Sequence, residues 1–201
     1  NKASFAVQGK TSDPQIGFYS EGSHKVADSP TCDILPEPIN NAKEWLREIL
    51  KKNQISVYNE GNHRGLVRGL VIRHSESTGE VLVGMMTNEG RFPRNFLTEL
   101  TEEKKLKELG IVGIIQNINP RATNVILGKE NRLLWGKERL TDKLADLSFH
   151  LSLGSFFQIH SAQTLRLYDL IDNWVDAAEG KTIIDAYSGS GGIALWLAAK
   201  G

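Results

Sequence analysis

A glycine-dense bend between an apolar run and a helix constrains this chain more than any other stretch. It runs from Lys181 to Gly192 as Lys-Thr-Ile-Ile-Asp-Ala-Tyr-Ser-Gly-Ser-Gly-Gly. Thr182, Ile183 and Ile184 are β-branched and read as a buried parallel strand that ends on the carboxylate of Asp185. Gly189, Gly191 and Gly192 permit a tight turn and a close approach of a ligand to the backbone. Ile193 to Lys200 is helix-forming sequence, and the helix start offers unpaired N–H groups and a positive dipole end. The alternative is a strand–loop–helix with no ligand, and three glycines beside a strand-end carboxylate argue against it. A doubly wound sheet needs further strands and helices to cover its first strand, so a chain running from Asn1 to Gly201 reads as a piece of a longer protein.

Two ligand classes use such a bend. Gly189-Ser-Gly-Gly-Ile-Ala194 fits the dinucleotide spacing with a final Ala. In that fold, however, the first glycine follows the strand almost directly, whereas here other residues separate Asp185 from Gly189. The order Asp-x-Tyr-x-Gly-x-Gly resembles instead the first motif of class I S-adenosylmethionine-dependent methyltransferases. The resemblance implies a loop packed on the methionine and ribose parts of that cofactor.

Composition bounds the partners. Lys plus Arg and Asp plus Glu number 24 each, so no chain-wide attraction to a polyanion exists and RNA binding needs a local basic patch. Apolar residues make up 40%, enough for a core, and no apolar run approaches membrane-spanning length. The single cysteine, Cys32, excludes an internal disulfide and points to a reducing, cytoplasmic-type compartment or an organelle matrix. On spacing alone Cys32 is a small buried hydrophobe, since a metal site needs several ligands.

Periodicity organises the rest. Strands are expected over Ala3–Gln8, Ile16–Tyr19 and His24–Ala27, then a helix from Ile39 to Lys52 with Ile39, Ala42, Trp45, Leu46 and Ile49 on one stripe. His63 to His74 and Glu80 to Thr87 read as a hairpin apolar on both faces, so each face needs a cover. Its first strand carries Arg64, Arg68 and Arg73, which either contact phosphates or form a solvated edge. A helix over Arg94–Gly110 and a strand over Ile111–Ile118 follow, then short strands over Asn124–Gly128, Leu133–Lys137 and Ser148–Leu153. The segment Gly154 to His160 leads into a helix from Ser161 to Ala178 with Leu165, Tyr168, Ile171, Trp174 and Val175 on one face.

Taken together, these residues resemble the RNA uracil-5-methyltransferases, which make 5-methyluridine in ribosomal and transfer RNA. Phe156-Phe-Gln158-Ile-His160 and Ile183 to Gly192 carry the resemblance. Gln116-Asn-Ile-Asn119, Thr123-Asn124, Gly128-Lys-Glu130 and Leu134-Trp-Gly136 match the family's central domain. The similarity implies an α+β central RNA-binding domain over residues 1–150. From 151 to 201 it implies the first β–loop–α unit of a Rossmann-like class I methyltransferase domain. It implies S-adenosylmethionine as cofactor, RNA as partner (ribosomal RNA ahead of transfer RNA), and neither a membrane nor a protein partner. Gln158, Tyr187, Gly189, Gly191 and Gly192 become cofactor contacts; relatives often have Asn at the position of Gly192. Phe156, Arg64, Arg68 and Arg73 become substrate contacts, with Arg121 and Lys129 as further phosphate contacts. Cys32 falls where many members have the fourth ligand of a four-iron, four-sulfur cluster, whose other three cysteines lie upstream. One thiolate holds no cluster, so Cys32 is expected as a free thiol in this chain.

The family's chemistry adds a cysteine thiolate to uracil C6, which makes C5 nucleophilic toward the sulfonium methyl; a base then takes the C5 proton. Nucleophile and base belong to the later part of the methyltransferase domain, so this chain by itself is expected to be inactive. A non-enzymatic RNA-binding module and a nicotinamide-dependent oxidoreductase are the competing readings. The second needs an acidic residue roughly 20 residues beyond the bend.

Overall fold

The computed structural model describes residues 1–121, 126–175 and 182–200. Alternating apolar residues build β1 (Lys2–Lys10), β2 (Asp13–Tyr19), β3 (Val26–Asp28), β4 (Val67–His74) and β5 (Val81–Thr87), which pair antiparallel among themselves. β6 (Ile111–Ile118) runs parallel to β5 after a crossover carrying α2 (Arg94–Leu100) and α3 (Glu103–Glu108). β7 (Glu130–Gly136) completes a seven-stranded sheet in the order β3-β2-β1-β4-β5-β6-β7. A separate hairpin, β8 (Leu140–Leu144) with β9 (Leu147–Leu151), precedes α4 (Ser161–Val175) and α5 (Gly192–Lys200).

β5 is buried at every position, as expected of a strand apolar on both sides. Val81, Val83 and Met85 face one core with Leu46 and Leu50 of α1 (Glu37–Lys52) and with Phe96 of α2. Leu82 and Met86 face the other, with Phe149, Leu153, Phe157, Tyr168 and Trp196. This second core draws on both sides of residue 150, so the C-terminal segment packs directly on the sheet.

Several expected boundaries move for physical reasons. β4 begins at Val67 rather than His63, because His63 and Gly65 take positive φ (56° and 104°) in a turn that pairs Asn59 with Arg64. The expected Arg94–Gly110 helix is two: Thr101 donates its hydroxyl to the Leu97 carbonyl (2.8 Å), and Glu102 is extended before α3. β8 is an addition; its alternate Leu140, Asp142 and Leu144 are buried, but the polar residues among them hid the pattern. Thr182 to Ile184 form no strand, and Ile184 is 86% exposed, with no neighbouring strand paired to it among the described residues. The expected strand over Asn124–Gly128 starts on residues outside the described ones, as do the helix end at Ala178 and Lys181; Ile126 to Gly128 are not strand.

Gln116-Asn-Ile-Asn119 proves architectural. Gln116 donates to the Thr87 hydroxyl and the Gly90 carbonyl (3.0 Å each). Asn117 donates to the Gly128 carbonyl (3.1 Å) and accepts from the Gly128 N–H (2.7 Å). These amides satisfy buried backbone groups where the ladder ends.

One polar cluster ties α1 to the sheet edge. Arg47 donates to both Asp28 carboxylate oxygens (2.7 and 3.1 Å) and to the carbonyls of Pro14 (2.8 Å) and Ile16 (3.2 Å). Burial works to raise the Asp28 carboxyl, but hydrogen bonds from Arg47 and the Ile16 N–H, with the charges of Arg47 and Lys43, hold it below its ordinary value. A depressed carboxyl adds stability that is present above its unfolded pKa of about 4 and lost as pH falls through the lower folded value. Arg47→Met should therefore destabilise the chain by about 1–3 kcal/mol, through carbonyls left unpaired, and flatten the acid limb of its stability. Urea melts across the acid range test this; an unchanged midpoint and limb would remove the role.

Candidate functional site

The segment between β9 and α4 is extended and held from beneath. The guanidinium of Arg73 on β4 donates to the Ser155 carbonyl, and the Asn1 side-chain amide donates to the Gln158 carbonyl (2.9 Å). Phe157 is 5% exposed and packs its ring on Phe149 at 5.0 Å, while Phe156 is 71% exposed. Adjacent residues of an extended chain point opposite ways, so one phenylalanine anchors the segment and the other is presented to solvent. Gln158 beside them is half-buried.

α4 then starts on a local cap. The His160 carbonyl accepts from the Thr164 N–H (3.0 Å) and the Thr164 hydroxyl (2.9 Å). Of the expected apolar face, Tyr168 is buried and Leu165 and Ile171 join the second core, but Trp174 is 75% exposed. The Tyr168 ring lies 6.0 Å from that of Trp196 on α5 and so fixes α5 against α4.

The bend itself is left-handed at three positions, Tyr187 (φ 64°), Gly189 (φ 56°) and Gly191 (φ 74°). For Tyr187, a residue with a Cβ, this costs about 1–2 kcal/mol. Its ring is fully exposed. The Gly191 N–H donates to the Ser188 carbonyl (2.8 Å), and α5 starts one residue later. Gly192 is required by packing: a Cβ there would overlap the Tyr168 hydroxyl. Any side chain at this position would have to displace the Tyr168 ring.

Asp185 supplies an unmet acceptor. Its Oδ2 is enclosed and has no hydrogen-bond partner among the described residues. Burial, and then the Asp185 charge, raise the Tyr168 hydroxyl above its ordinary pKa, so it stays protonated at neutral pH. An enclosed acceptor without a donor costs about 1–3 kcal/mol, which a ligand donor would offset. The bend thus combines close backbone access, a helix start and a waiting acceptor, and these residues fit a small polar cofactor.

The basic strand is rearranged relative to expectation. Arg73 is 1% exposed, and burial lowers its pKa to about 10 despite the opposing charge of Asp142; its guanidinium serves the Ser155 carbonyl and is not offered to RNA. Arg68 is half-buried, stacks on the Tyr58 ring at 4.4 Å and donates to the carbonyls of Asn119 and Arg121 (2.8 Å for the latter). Arg64 is exposed in the turn before β4; Arg121 and Lys129 are exposed beside a cavity of about 490 Å³. Neither this cavity nor one of about 410 Å³ is lined by Gln158, Tyr187 or the glycines of the bend. Cys32 is a free, half-buried thiol whose backbone N–H donates to Asn40 of α1 (3.0 Å). It therefore belongs to the α1 side of the sheet, opposite Phe157. Among the described residues no group of three or more metal-ligating side chains gathers.

Two features escaped sequence reasoning, the burial of Arg73 and the contact between Tyr168 and Gly192. Arg73 continues the run Leu70-Val71-Ile72, and its burial follows from strand alternation, which puts it on the side of Val71. The Tyr168–Gly192 contact joins residues too far apart in the chain for any local pattern to signal it.

Comparison with known proteins fits this geometry. No protein-family model matches the chain. A protein of Lactobacillus johnsonii named an uncharacterized RNA methyltransferase is 40% identical over 199 residues, 98% of this chain and 43% of its own length. Another of that name from Oceanobacillus iheyensis is 36% identical over 203 residues, again 43% of its length. The crystal structure of Pyrococcus abyssi tRNA (uracil-54, C5)-methyltransferase in complex with S-adenosyl-L-homocysteine superposes with a TM-score of 0.81 at 29% identity, over 100% of this chain and 46% of that one. The chain spans less than half the length of these relatives. No helix among the described residues is long and apolar enough to cross a membrane. In sequence and in fold, the chain is similar to these RNA methyltransferases, and the likeness fits the uracil-5-methyltransferase family.

Proposed function

We propose that this chain supplies an RNA platform and the first half of a cofactor site to an RNA (uracil-5-)-methyltransferase. The enzyme moves a methyl group from S-adenosylmethionine to C5 of a uridine. The observation that carries the reading is the left-handed bend at the start of α5, with the donor-less Oδ2 of Asp185 at its root and the Phe156–Gln158 segment anchored on the same part of the sheet.

S-adenosylmethionine, when bound, supplies an electrophilic methyl group on sulfonium. The chain's own residues bind and orient. Gly189 and Gly191 admit the ligand to the backbone, Tyr187 offers an exposed ring, and Asp185 offers an acceptor. Gln158 donates or accepts through its amide toward cofactor or base. Phe156 stacks on the target base once that base leaves its helix; flipping costs a few kcal/mol and stacking returns about 1–3 kcal/mol. Arg64 is the exposed cation of the basic stretch and contacts phosphate. No step is assigned to Cys32, which is held on the α1 side, and none to a cluster, because one thiolate does not fit one.

Incubated with RNA and S-adenosylmethionine, the 201-residue chain should form no 5-methyluridine, and nucleoside mass spectrometry detecting it would overturn the division of labour. In a protein of the relatives' full length, Gln158→Ala should cut kcat/KM on rRNA or tRNA transcripts roughly 10- to 100-fold, the loss of one hydrogen bond to a charged or polarised group. Wild-type kinetics would discard that role. Gly192→Ala should lower the thermal midpoint by crowding Tyr168, and Tyr168→Phe should restore part of it. Strictly additive changes in that double-mutant cycle would break the packing argument.

A further inference from the structure

A second concave site lies on the central sheet, away from the glycine bend. Its cavity of about 410 Å³ is within the range of small-ligand sites. Ala6 of β1 sits at its floor, in register with Gly17 on β2 and Gly69 on β4, so no side chain larger than a methyl rises from three adjacent strands there. Met86, which pairs with Gly69, lines the cavity and also belongs to the core of Phe157. The cavity therefore opens on the sheet face that carries the Phe156–Gln158 segment.

Its walls are aromatic and charge-balanced. Tyr19 is 47% exposed, with its hydroxyl donating to Glu60 (3.1 Å) and its ring 5.5 Å from His24. Burial first, and then Glu60, raise the Tyr19 hydroxyl, which keeps it a protonated donor. The guanidinium of Arg68 lies over the Tyr58 ring at 4.4 Å, held through Nη1. Glu60 offsets Arg68, which disfavours a phosphate. A flat floor, stacking walls, one fixed donor group and one carboxylate acceptor suit a heterocycle with an amide edge.

We propose that this cavity is a stacking subsite for an unpaired base of the RNA, distinct from the position beside Phe156. The proposal rests on the RNA-methyltransferase reading and extends it to a second nucleotide. β1 links the two places. Lys2 pairs with Arg73, which holds Ser155, and Lys2, Ser4, Ala6 and Gln8 alternate onto one face, so the floor lies roughly 13 Å along the strand from Lys2.

Fluorescence anisotropy of a short labelled oligouridylate with the intact chain tests this, together with photocrosslinking of a thiouridine-substituted copy. Tyr19→Leu removes the stacking ring, and Ala6→Val fills the floor with a residue that strands favour. Each should weaken binding roughly 5- to 50-fold with an unchanged melting midpoint, while Tyr19→Phe retains binding and crosslinks map to Tyr19, His24 or Tyr58. Equal affinity for wild type, Tyr19→Leu and Ala6→Val, with crosslinks confined to residues 156–160, would overturn the subsite and leave the RNA reading standing. A wild-type chain that binds no RNA would overturn both.

Discussion

Burial of β4 and β5 on both faces is the constraint from which the rest of the structure follows. A strand such as Val81–Thr87, enclosed at every position, cannot exist at the surface of a one-layer sheet. α1 and α2 cover one side. The other side is closed by the β8–β9 hairpin and by residues of the C-terminal segment, Leu153, Phe157, Tyr168 and Trp196. Gly84 leaves the hollow in which Leu153 sits, since a Cβ there would press into its side chain. Hydrophobic closure of the central sheet and placement of the candidate cofactor bend are thus one packing event, worth about 25 cal/mol for each Å² of apolar surface removed from water.

Arg73 shows what that arrangement costs. A guanidinium buried to 1% exposure has lost its hydration, and desolvation is the larger influence on its pKa. Asp142 opposes the shift through its charge, while its own Oδ1 is taken by the hydroxyls of Ser75 (2.8 Å) and Ser77 (2.9 Å). At about 10 the group is still cationic at neutral pH, and its Nε has no partner among the described residues. A hydrophobic residue would be cheaper here. What the arginine adds is reach: from the middle of the sheet it fixes the Ser155 carbonyl, one residue before Phe156.

Sequence reasoning read the two-sided strands, the α1 stripe, the strand Ile111–Ile118 and the bend, because each is a local periodicity or a local glycine signal. Strand alternation also puts one of Phe156 and Phe157 in the core, and the buried one is Phe157. Sequence reasoning failed where meaning depends on a distant partner. Arg73 looked like a phosphate contact in a basic stretch, yet it is buried and its guanidinium donates to the Ser155 carbonyl, while Arg68 gives Nη1 to the carbonyls of Asn119 and Arg121. β8 stayed hidden because its inward Asp142 is polar and finds its hydroxyl donors in distant serines of the β4–β5 turn. Thr182 to Ile184 carry strand propensity, but a strand exists only as a pair, and none of the described strands lies beside them.

The same diversion of charge reshapes how this surface can meet RNA. With 24 basic and 24 acidic residues there is no long-range pull, and two of the three arginines in the basic stretch are spent on backbone carbonyls. Counterion release, which drives phosphate-dominated binding, is then a small term on this face. Beside the exposed cations Arg64, Arg121 and Lys129, the surface presents two aromatic rings: Tyr19, with its hydroxyl donating to Glu60, and Phe156, next to the buried Phe157. The Tyr19 ring is held through Glu60 before any ligand arrives, so little of its side-chain entropy is lost on stacking. Affinity built this way depends on unstacked bases, which the proposed transfer to C5 of a uracil would also require.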